Sequence, residues 1–424
     1  MTFKVLSLGC KVNSYECSAI ASSLIKEGYS ECQDDNPNIV IINTCSVTAT
    51  ADQKSRQHIR KMMKNYPNAI VVVMGCYSQG NADYISREIN PHILVGTSHR
   101  DEIIELIKEY EANKQHIVKV DKNPREYSYE EMGITSFSEN IRAYLKIQDG
   151  CDNFCTYCLI PYRRGRSRSR SKESIIEEAK LLVEKGYPEI VLTGIHVGGY
   201  GKDLDNTSFS DLVKSLLDIP GMGSLRISSI EESEIDDQLI DMVINNKVLA
   251  KHLHIPLQSG SATVLKRMNR KYTPEQFLNK MTFLKKELPD IALTTDVIVG
   301  FPGETDEEFN ETVEFIKKCG FNMLHVFPFS AREGTGAYLM KNQISPQVKK
   351  QRAQVLLEFS KELWNQYTDR FVGKDIEVLI EKNDTHSGCS FGRTNNYIDV
   401  KIPNKLLKPG EKVTVKLQKD MIIS

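Results

Sequence analysis

The sequence lacks several things, and each absence removes a class of protein. No run of about 18 apolar residues occurs, which argues against a membrane-spanning helix and a membrane partner. Neither sign of charge is in excess. Fifty-five Lys and Arg stand against 56 Asp and Glu, a net charge of −1, so the chain is no polycation, although a local basic patch could still hold nucleic acid. There is no basic leader followed by an apolar stretch of about 7–15 residues; residues 1–9 run straight into a strand-like segment, and a cytoplasmic location is expected. No repeat of fixed short period is visible. In a reducing compartment, the ten cysteines point to metal binding or catalysis before disulfides.

What is present is a globular composition, 40% hydrophobic and 26% charged, over 424 residues, enough for about three domains. In the first 120 residues, short Val/Ile-rich runs at 3–8, 39–42, 69–74 and 93–95 alternate with helical patterns at 13–26, 51–63, 82–89 and 100–111. This is the pattern of a doubly wound parallel α/β sheet. Residues 121–140 are polar and irregular, and read as a linker. A second series follows, with strand-like runs at 142–147, 189–192, 225–229, 252–256, 291–299 and 323–327 and helical patterns between them. Six β/α units make a barrel or partial barrel. Thr305 and Glu308 form a capping box for a helix over 306–318. After a long amphipathic helix at about 346–370, alternating runs at 376–380, 397–402 and 412–417 indicate a small all-β domain.

Cys151, Cys155 and Cys158 have C-x3-C-x2-C spacing and follow the first strand of the second series, at the end where such barrels carry their chemistry. Three thiolates can hold three irons of a cubane and leave the fourth open; a four-cysteine cluster leaves none. Zinc would ask for a fourth ligand, and the loop offers none. Cys10, Cys45 and Cys76 are far apart in sequence, yet each ends an apolar strand. If those strands are neighbours, about 4.8 Å apart, the three thiols converge at the crevice where α/β sheets bind ligands. Buried structural cysteine is the alternative; Cys17, Cys32, Cys319 and Cys389 show no such placement and read as ordinary residues.

With aromatic Tyr157 before its last cysteine, the loop resembles the radical S-adenosylmethionine superfamily. Residues 193–201, 254–260 and 298–304, each at a strand end, match in order. The resemblance implies a [4Fe–4S] cluster that cleaves S-adenosylmethionine to a 5′-deoxyadenosyl radical, with Tyr157, Gly194, Gly198, Gly199, Gln258 and Gly300 around the cofactor. Gly9-Cys10-Lys11-Val12-Asn13 with Glu16, residues 43–48 and Gly75-Cys76-Tyr77 look like the N-terminal domain of the methylthiotransferase family. That resemblance covers nearly the whole chain. It implies an N-terminal domain over 1–120, a linker over 121–140, a radical S-adenosylmethionine core over 141–370 and a TRAM β-barrel over 371–424. It further implies two [4Fe–4S] clusters, each on one cysteine trio, a sulfur source and a low-potential electron donor.

Lys11-Val12 is most similar to the branch acting on N6-threonylcarbamoyladenosine, beside the anticodon of tRNA; the isopentenyladenosine branch tends to have Gln-Met there. A ribosomal-protein aspartate is a further substrate within the family, and an iron–sulfur protein that only binds RNA or senses redox state is the non-enzymatic alternative. Two basic features suit RNA. Arg163, Arg164, Arg166, Arg168 and Arg170 follow the cysteine loop and could hold phosphates or the substrate's carboxylate bidentately, unless they are only a solvated or disordered face. Lys401, Lys405, Lys408, Lys412, Lys416 and Lys419 stand against one acid in the C-terminal stretch 401–419. Glu231, Glu232 and Glu304 fall near the expected pocket without an assignable role, and His196, His254 and His325 read as core or rim histidines.

Overall fold

The computed structural model describes residues 1–124, 127–134 and 141–423; of the expected linker, residues 125–126 and 135–140 lie outside the described residues, as does residue 424. The N-terminal sheet is wholly parallel, in the order Ser30–Glu31, Thr2–Ser7, Ile39–Thr44, Ile70–Gly75, Ile93–Val95, Ile117–Lys119. Ile39–Thr44 and Ile70–Gly75 are buried along their whole length, which is why they read as unbroken apolar runs. Ser7 is in register with Asn43, and Thr44 with Gly75, so the residues that follow the three strands emerge along one edge. The two outermost strands were not visible in the sequence, being short and partly exposed.

The second unit is a partial barrel of six parallel strands in two sheets. Arg142–Lys146, Glu189–Thr193 and Leu225–Ile227 form one; His252–His254, Ala292–Val299 and Met323–Pro328 form the other. The seam is closed by backbone bonds from Leu225 N–H to Val248 O (2.9 Å) and Ile230 N–H to His254 O (3.0 Å). Helix Lys11–Lys26 from the first unit packs against the edge strand Arg142–Lys146. Its faces serve two cores: Tyr15 and Ala19 join the barrel cluster, while Cys17, Ile20 and Leu24 join the N-terminal one. The two units thus share a helix. The expected linker also contributes to packing, because Ile134 is buried in the barrel cluster and Tyr129 donates to Lys146 O at 3.0 Å. The capping box at Thr305 and Glu308 is present.

Helix Pro346–Asp369 packs against Met323–Pro328 and leads into an antiparallel sheet ordered Asp399–Ile402, Cys389–Thr394, Asp375–Asp384, Lys412–Lys416. This sheet seals the floor of the barrel. His252 stacks on Tyr397 at 3.9 Å, and Arg226 donates to Asn395 O (3.3 Å) and Thr394 O (3.4 Å). No described helix is long and apolar enough to cross a membrane.

Candidate metal centres and the charged hub between them

Cys10, Cys45 and Cys76 follow three adjacent strands. Gly9 takes φ +102, and a Cβ there would lie 2.6 Å from Cys45 Cβ and 2.7 Å from its sulfur, so only glycine lets these chain ends approach. Asn13 clamps the strand ends by donating to Leu8 O (2.6 Å) and Thr44 O (3.2 Å). Burial pushes the Cys45 thiol up and that of Cys76 up to about 11, and both lie within the field of Cys10.

The second trio sits on a loop turned by Phe154 in the left-handed region, φ +46. Each sulfur has a donor aimed at it: Asn153 N–H at Cys151 (3.4 Å), Arg270 Nη1 at Cys155 (3.5 Å) and Ile160 N–H at Cys158 (3.4 Å). Arg270 is held in turn by Glu231. Burial pushes Cys158 up to about 12. Burial opposes the charged form of His196, but the Cys151 sulfur and Glu234 outweigh it and bring the imidazole up to about 10.

Between the trios lies a hub of buried charge. Arg164 is fully buried and reaches Glu16 (2.8 Å), Asp149 (3.1 Å), Asn13 (3.0 Å) and, through Nε, the Cys76 sulfur (3.2 Å). Arg100, Lys146 and Arg168 join it, pairing with Glu16, Asp149 and Glu130. Four cations thus face three carboxylates. Despite its burial, Glu16 is held well below the usual carboxylate range by Arg100 and Arg164.

This chemistry fits iron–sulfur ligation at both trios. A buried thiol that burial drives up is deprotonated outright by a metal, and sulfur-directed N–H donors suit thiolates. At Cys76 the hub's surplus positive charge calls for an anion beside Arg164. Among the described residues no three His, Cys, Asp or Glu converge tightly enough for a single metal ion. A cubane asks for a wider triangle, because each of its three thiolates belongs to a different iron.

The candidate cofactor residues ring the cysteine loop's end of the barrel. Tyr157 is in the loop, where burial raises its phenol well above its ordinary value. Gly194, Gly198 and Gly199 pack against Gln148, Glu234 and His196 respectively. Gln258 is buried at φ +65 and bridges to Val297, and Gly300 donates its N–H to Glu304 (2.5 Å). Glu304 also pairs with Arg352 at 2.6 Å, which gives it a structural partner, while Glu232 is buried with one carboxylate oxygen unbonded. His254 bonds Thr294 (2.9 Å) and Asp296 (3.2 Å) and sits beside His325.

The arginine run requires correction. Arg164, Arg168 and Arg170 are buried, and their guanidinium groups are bound to internal acids, Arg170 to Glu178 at 2.6 Å and Glu131 at 3.0 Å. They cannot grip phosphates, because leaving those carboxylates unpaired in the interior is costly. Arg163 lies against Gly80. Only Arg166 is well exposed, beside Asp152 (2.7 Å). Of the C-terminal lysines, Lys405, Lys408, Lys412, Lys416 and Lys419 are exposed and Lys401 is half-buried, but Lys412 and Lys419 pair with Glu377 and Asp369, and Lys401 and Lys412 lie on opposite edge strands.

Sequence reasoning missed Arg100, Lys146, Asp149 and Arg270, each an isolated charge without motif. It also missed the position of Lys11. Burial, with Arg226, Arg393 and Arg142, brings the Lys11 ammonium down to about 8, and His252 and His325 feel its charge in turn. Those neighbours come from barrel strands and the floor, so the Lys11 ammonium lies on the barrel side of the first trio.

Three family models match: the Radical SAM superfamily over residues 145–316, the Uncharacterized protein family UPF0004 over 2–96 and the TRAM domain over 369–421. The first implies S-adenosylmethionine and a [4Fe–4S] cluster. The chain is 43% identical over 418 residues to the threonylcarbamoyladenosine tRNA methylthiotransferase MtaB of Bacillus subtilis (strain 168), covering 97% of this chain and 93% of that one. It is 38% identical over 403 residues to the tRNA-2-methylthio-N(6)-dimethylallyladenosine synthase of Acetivibrio thermocellus, covering 92% and 82%. Among solved structures, the radical S-adenosylmethionine methyltransferase TsrM of Kitasatospora setae matches with a TM-score of 0.57 at 15% identity, over 77% of this chain and 72% of that one, a likeness of fold. Identity of this extent along nearly the full length of both relatives, with all three domain models in order, places the chain in the radical S-adenosylmethionine methylthiotransferase family.

Proposed function

We propose that this protein is a tRNA-modifying enzyme that replaces the hydrogen at C2 of N6-threonylcarbamoyladenosine-37 with a methylthio group. The observation that carries the reading is the tie between the first cysteine trio and the barrel through one buried arginine, Arg164, which follows the cysteine loop of the second trio and bonds the Cys76 sulfur, Glu16 and Asp149. Cys151, Cys155 and Cys158 would hold the cluster that binds S-adenosylmethionine, and Cys10, Cys45 and Cys76 a second [4Fe–4S] cluster, each through three ligands. When bound, these groups supply the radical that removes the C2 hydrogen, the sulfur and its methyl group. The chain's own residues exclude water, orient the sulfurs and hold the base. A low-potential electron donor, a sulfur source and the tRNA anticodon loop are the partners this requires.

Lys11 favours the threonylcarbamoyl base over the dimethylallyl one. Threonylcarbamoyl carries a carboxylate, which suits the Lys11 ammonium, whereas a dimethylallyl tail is a hydrocarbon with no use for it; the nearby Arg226, Arg142 and Arg393 are already paired with Glu189 and Asp399. The names of the relatives include both substrates, with the threonylcarbamoyl enzyme at the higher identity of the two quoted.

The test uses anaerobically reconstituted wild type and the Cys151→Ala/Cys155→Ala/Cys158→Ala protein. About eight irons per chain should fall to about four, and mass spectrometry of digested tRNA should find methylthio-threonylcarbamoyladenosine from wild type alone. About four irons in wild type would make the first trio structural. Product on isopentenyladenosine instead would move the substrate to the other branch. Lys11→Gln should keep its iron and lose product on the threonylcarbamoyl substrate.

A further inference from the structure

We propose that the exposed face of helix Ala49–Asn65 is the surface on which the tRNA anticodon stem docks, through its phosphates. The proposal rests on the tRNA reading above. The helix begins just past Cys45, capped by the Thr48 hydroxyl, so it runs outward from the first cysteine trio. Only Ser55, Ile59 and Met62 are buried, and the opposite face is turned to solvent. That face carries Lys54, Arg60, Lys61 and Lys64, with Arg56 half-buried at its flank and bonded to the Tyr77 hydroxyl (3.3 Å). The helix's one acid, Asp52, is already bound to Arg332 (2.5 Å) and Ser46 (2.7 Å). Among the described residues none of the five cations is ion-paired, in contrast to Lys412 and Lys419 of the C-terminal sheet. A helix this basic, with no carboxylate among the described residues paired to these cations, is complementary to a polyanion. From Lys54 to Lys64 the row extends about 15 Å at 1.5 Å per residue, long enough to follow several phosphates of one strand.

The surface continues toward the second trio. Arg60 donates to the Tyr84 hydroxyl at 3.1 Å. Tyr84 lines a groove of about 820 Å³ whose far wall is Tyr162 and Arg163, from the segment that follows Cys158. Both tyrosines are exposed, 39% and 41%. Asp83, Glu88 and Asp121 line this groove together with Arg87, Lys122 and Arg163, so it offers phosphate no surplus of positive charge. Exposed rings there suit unpaired bases, which stack on aromatics without regard to sequence. Stem phosphates on the helix and loop bases over the tyrosines would bring the anticodon loop to the space between the two cysteine sites.

The experiment uses full-length, cluster-reconstituted protein and an anticodon stem–loop carrying threonylcarbamoyladenosine. Lys54→Gln/Lys61→Gln/Lys64→Gln is compared with a control of equal charge change on the outer barrel helices, Lys286→Gln/Lys317→Gln/Lys318→Gln; iron content verifies both folds. The helix variant should bind about tenfold more weakly, and its log Kd against log salt slope should fall by about 2 to 3, at about 0.7–0.9 per lost phosphate contact. Lys64→Gln alone should lose about a third of that slope. The control should match wild type. Wild-type affinity and slope in the helix variant would overturn the docking surface. So would lost product at unchanged RNA affinity, which would assign the face to an acidic protein partner such as the electron donor. Wild type that binds the stem–loop but yields no methylthio product would refute the functional reading and leave the docking surface standing.

Discussion

Replacing Arg164 tests whether the hub serves the first cysteine trio. The side chain makes four contacts at once, with Glu16, Asp149, Asn13 and the Cys76 sulfur, from a fully buried position. Lysine keeps the charge but is a point donor, and it cannot span partners arranged around a planar fork. In Arg164→Lys, Asp149 or Glu16 therefore loses a buried partner, and so does Cys76. Both carboxylates keep Arg100 and Lys146, so the loss is that of a buried hydrogen bond to a charged group, about 1.5–3 kcal/mol. At about 2 °C per kcal/mol for a domain of this size, the first thermal transition should fall by roughly 3–6 °C. The same change removes the N–H aimed at the Cys76 sulfur, so iron should drop from about eight to about four per chain, with the cluster on Cys151, Cys155 and Cys158 retained. Scanning calorimetry and iron assay on the reconstituted protein read the two effects separately. An Arg164→Lys protein with wild-type iron that melts within about a degree of wild type would refute the charge-balance argument. A lowered melting temperature with wild-type iron would make Arg164 a scaffold residue only.

Gly9→Ala should cost the iron of the first trio while sparing the second, because its methyl group must displace Cys45 while the backbone stays at φ +102; iron assay in the Cys151→Ala/Cys155→Ala/Cys158→Ala background reads this site alone. Glu308 is held down to about 2, from its ordinary 4.5, chiefly by Arg267, with Thr263 and the Thr305 N–H assisting. A depressed carboxyl stabilises fully above its unfolded value and loses that contribution as pH falls through its folded value. Glu308→Gln should therefore cost about 0.5–1 kcal/mol at neutral pH, discounted for solvent, and nothing near pH 2; equal deficits at both pH values in urea unfolding would contradict the assignment. Ending the chain at residue 370 should expose Trp364 and Tyr367, which share one core with Phe371, Val378, Ile398 and Leu417. Trp364 is the single tryptophan, so its emission should shift to the red and the protein should associate; a monomer with unshifted emission would show that the barrel closes without its floor.

The sequence was most legible where one physical requirement acts along a continuous stretch of chain. The β/α alternation could be read because Ile39–Thr44 and Ile70–Gly75 are apolar on both faces. The convergence of Cys10, Cys45 and Cys76 was legible only conditionally, since strand order is a long-range property; the observed order satisfies the condition. The strand Cys389–Thr394 escaped because its residues, CSFGRT, show no alternation. The arginine run was misread for a different reason. Composition displays charge but not direction, and what turns these arginines inward is supplied by other elements: Glu16 from the first helix, Asp149 from the barrel and Glu178 from the helix beyond.

That inward turn changes how the two cysteine sites relate. Were the run a solvated phosphate clamp, the N-terminal sheet and the barrel would be joined by the shared helix and by Arg332 on Asp52 and Ser46, and each site could form without the other. With Arg164 locked between Glu16 and Cys76 on one side and Asp149 on the other, the segment that follows Cys158 supplies part of the wall of the first site. The first site is therefore incomplete until the barrel's cysteine loop has docked, and the charge that Cys76 faces belongs to the other unit. Buried ion pairs thus hold the two cysteine sites in a fixed relation. For a reaction that must deliver a radical and a sulfur to one carbon, this rigidity is the structural contribution of the hub.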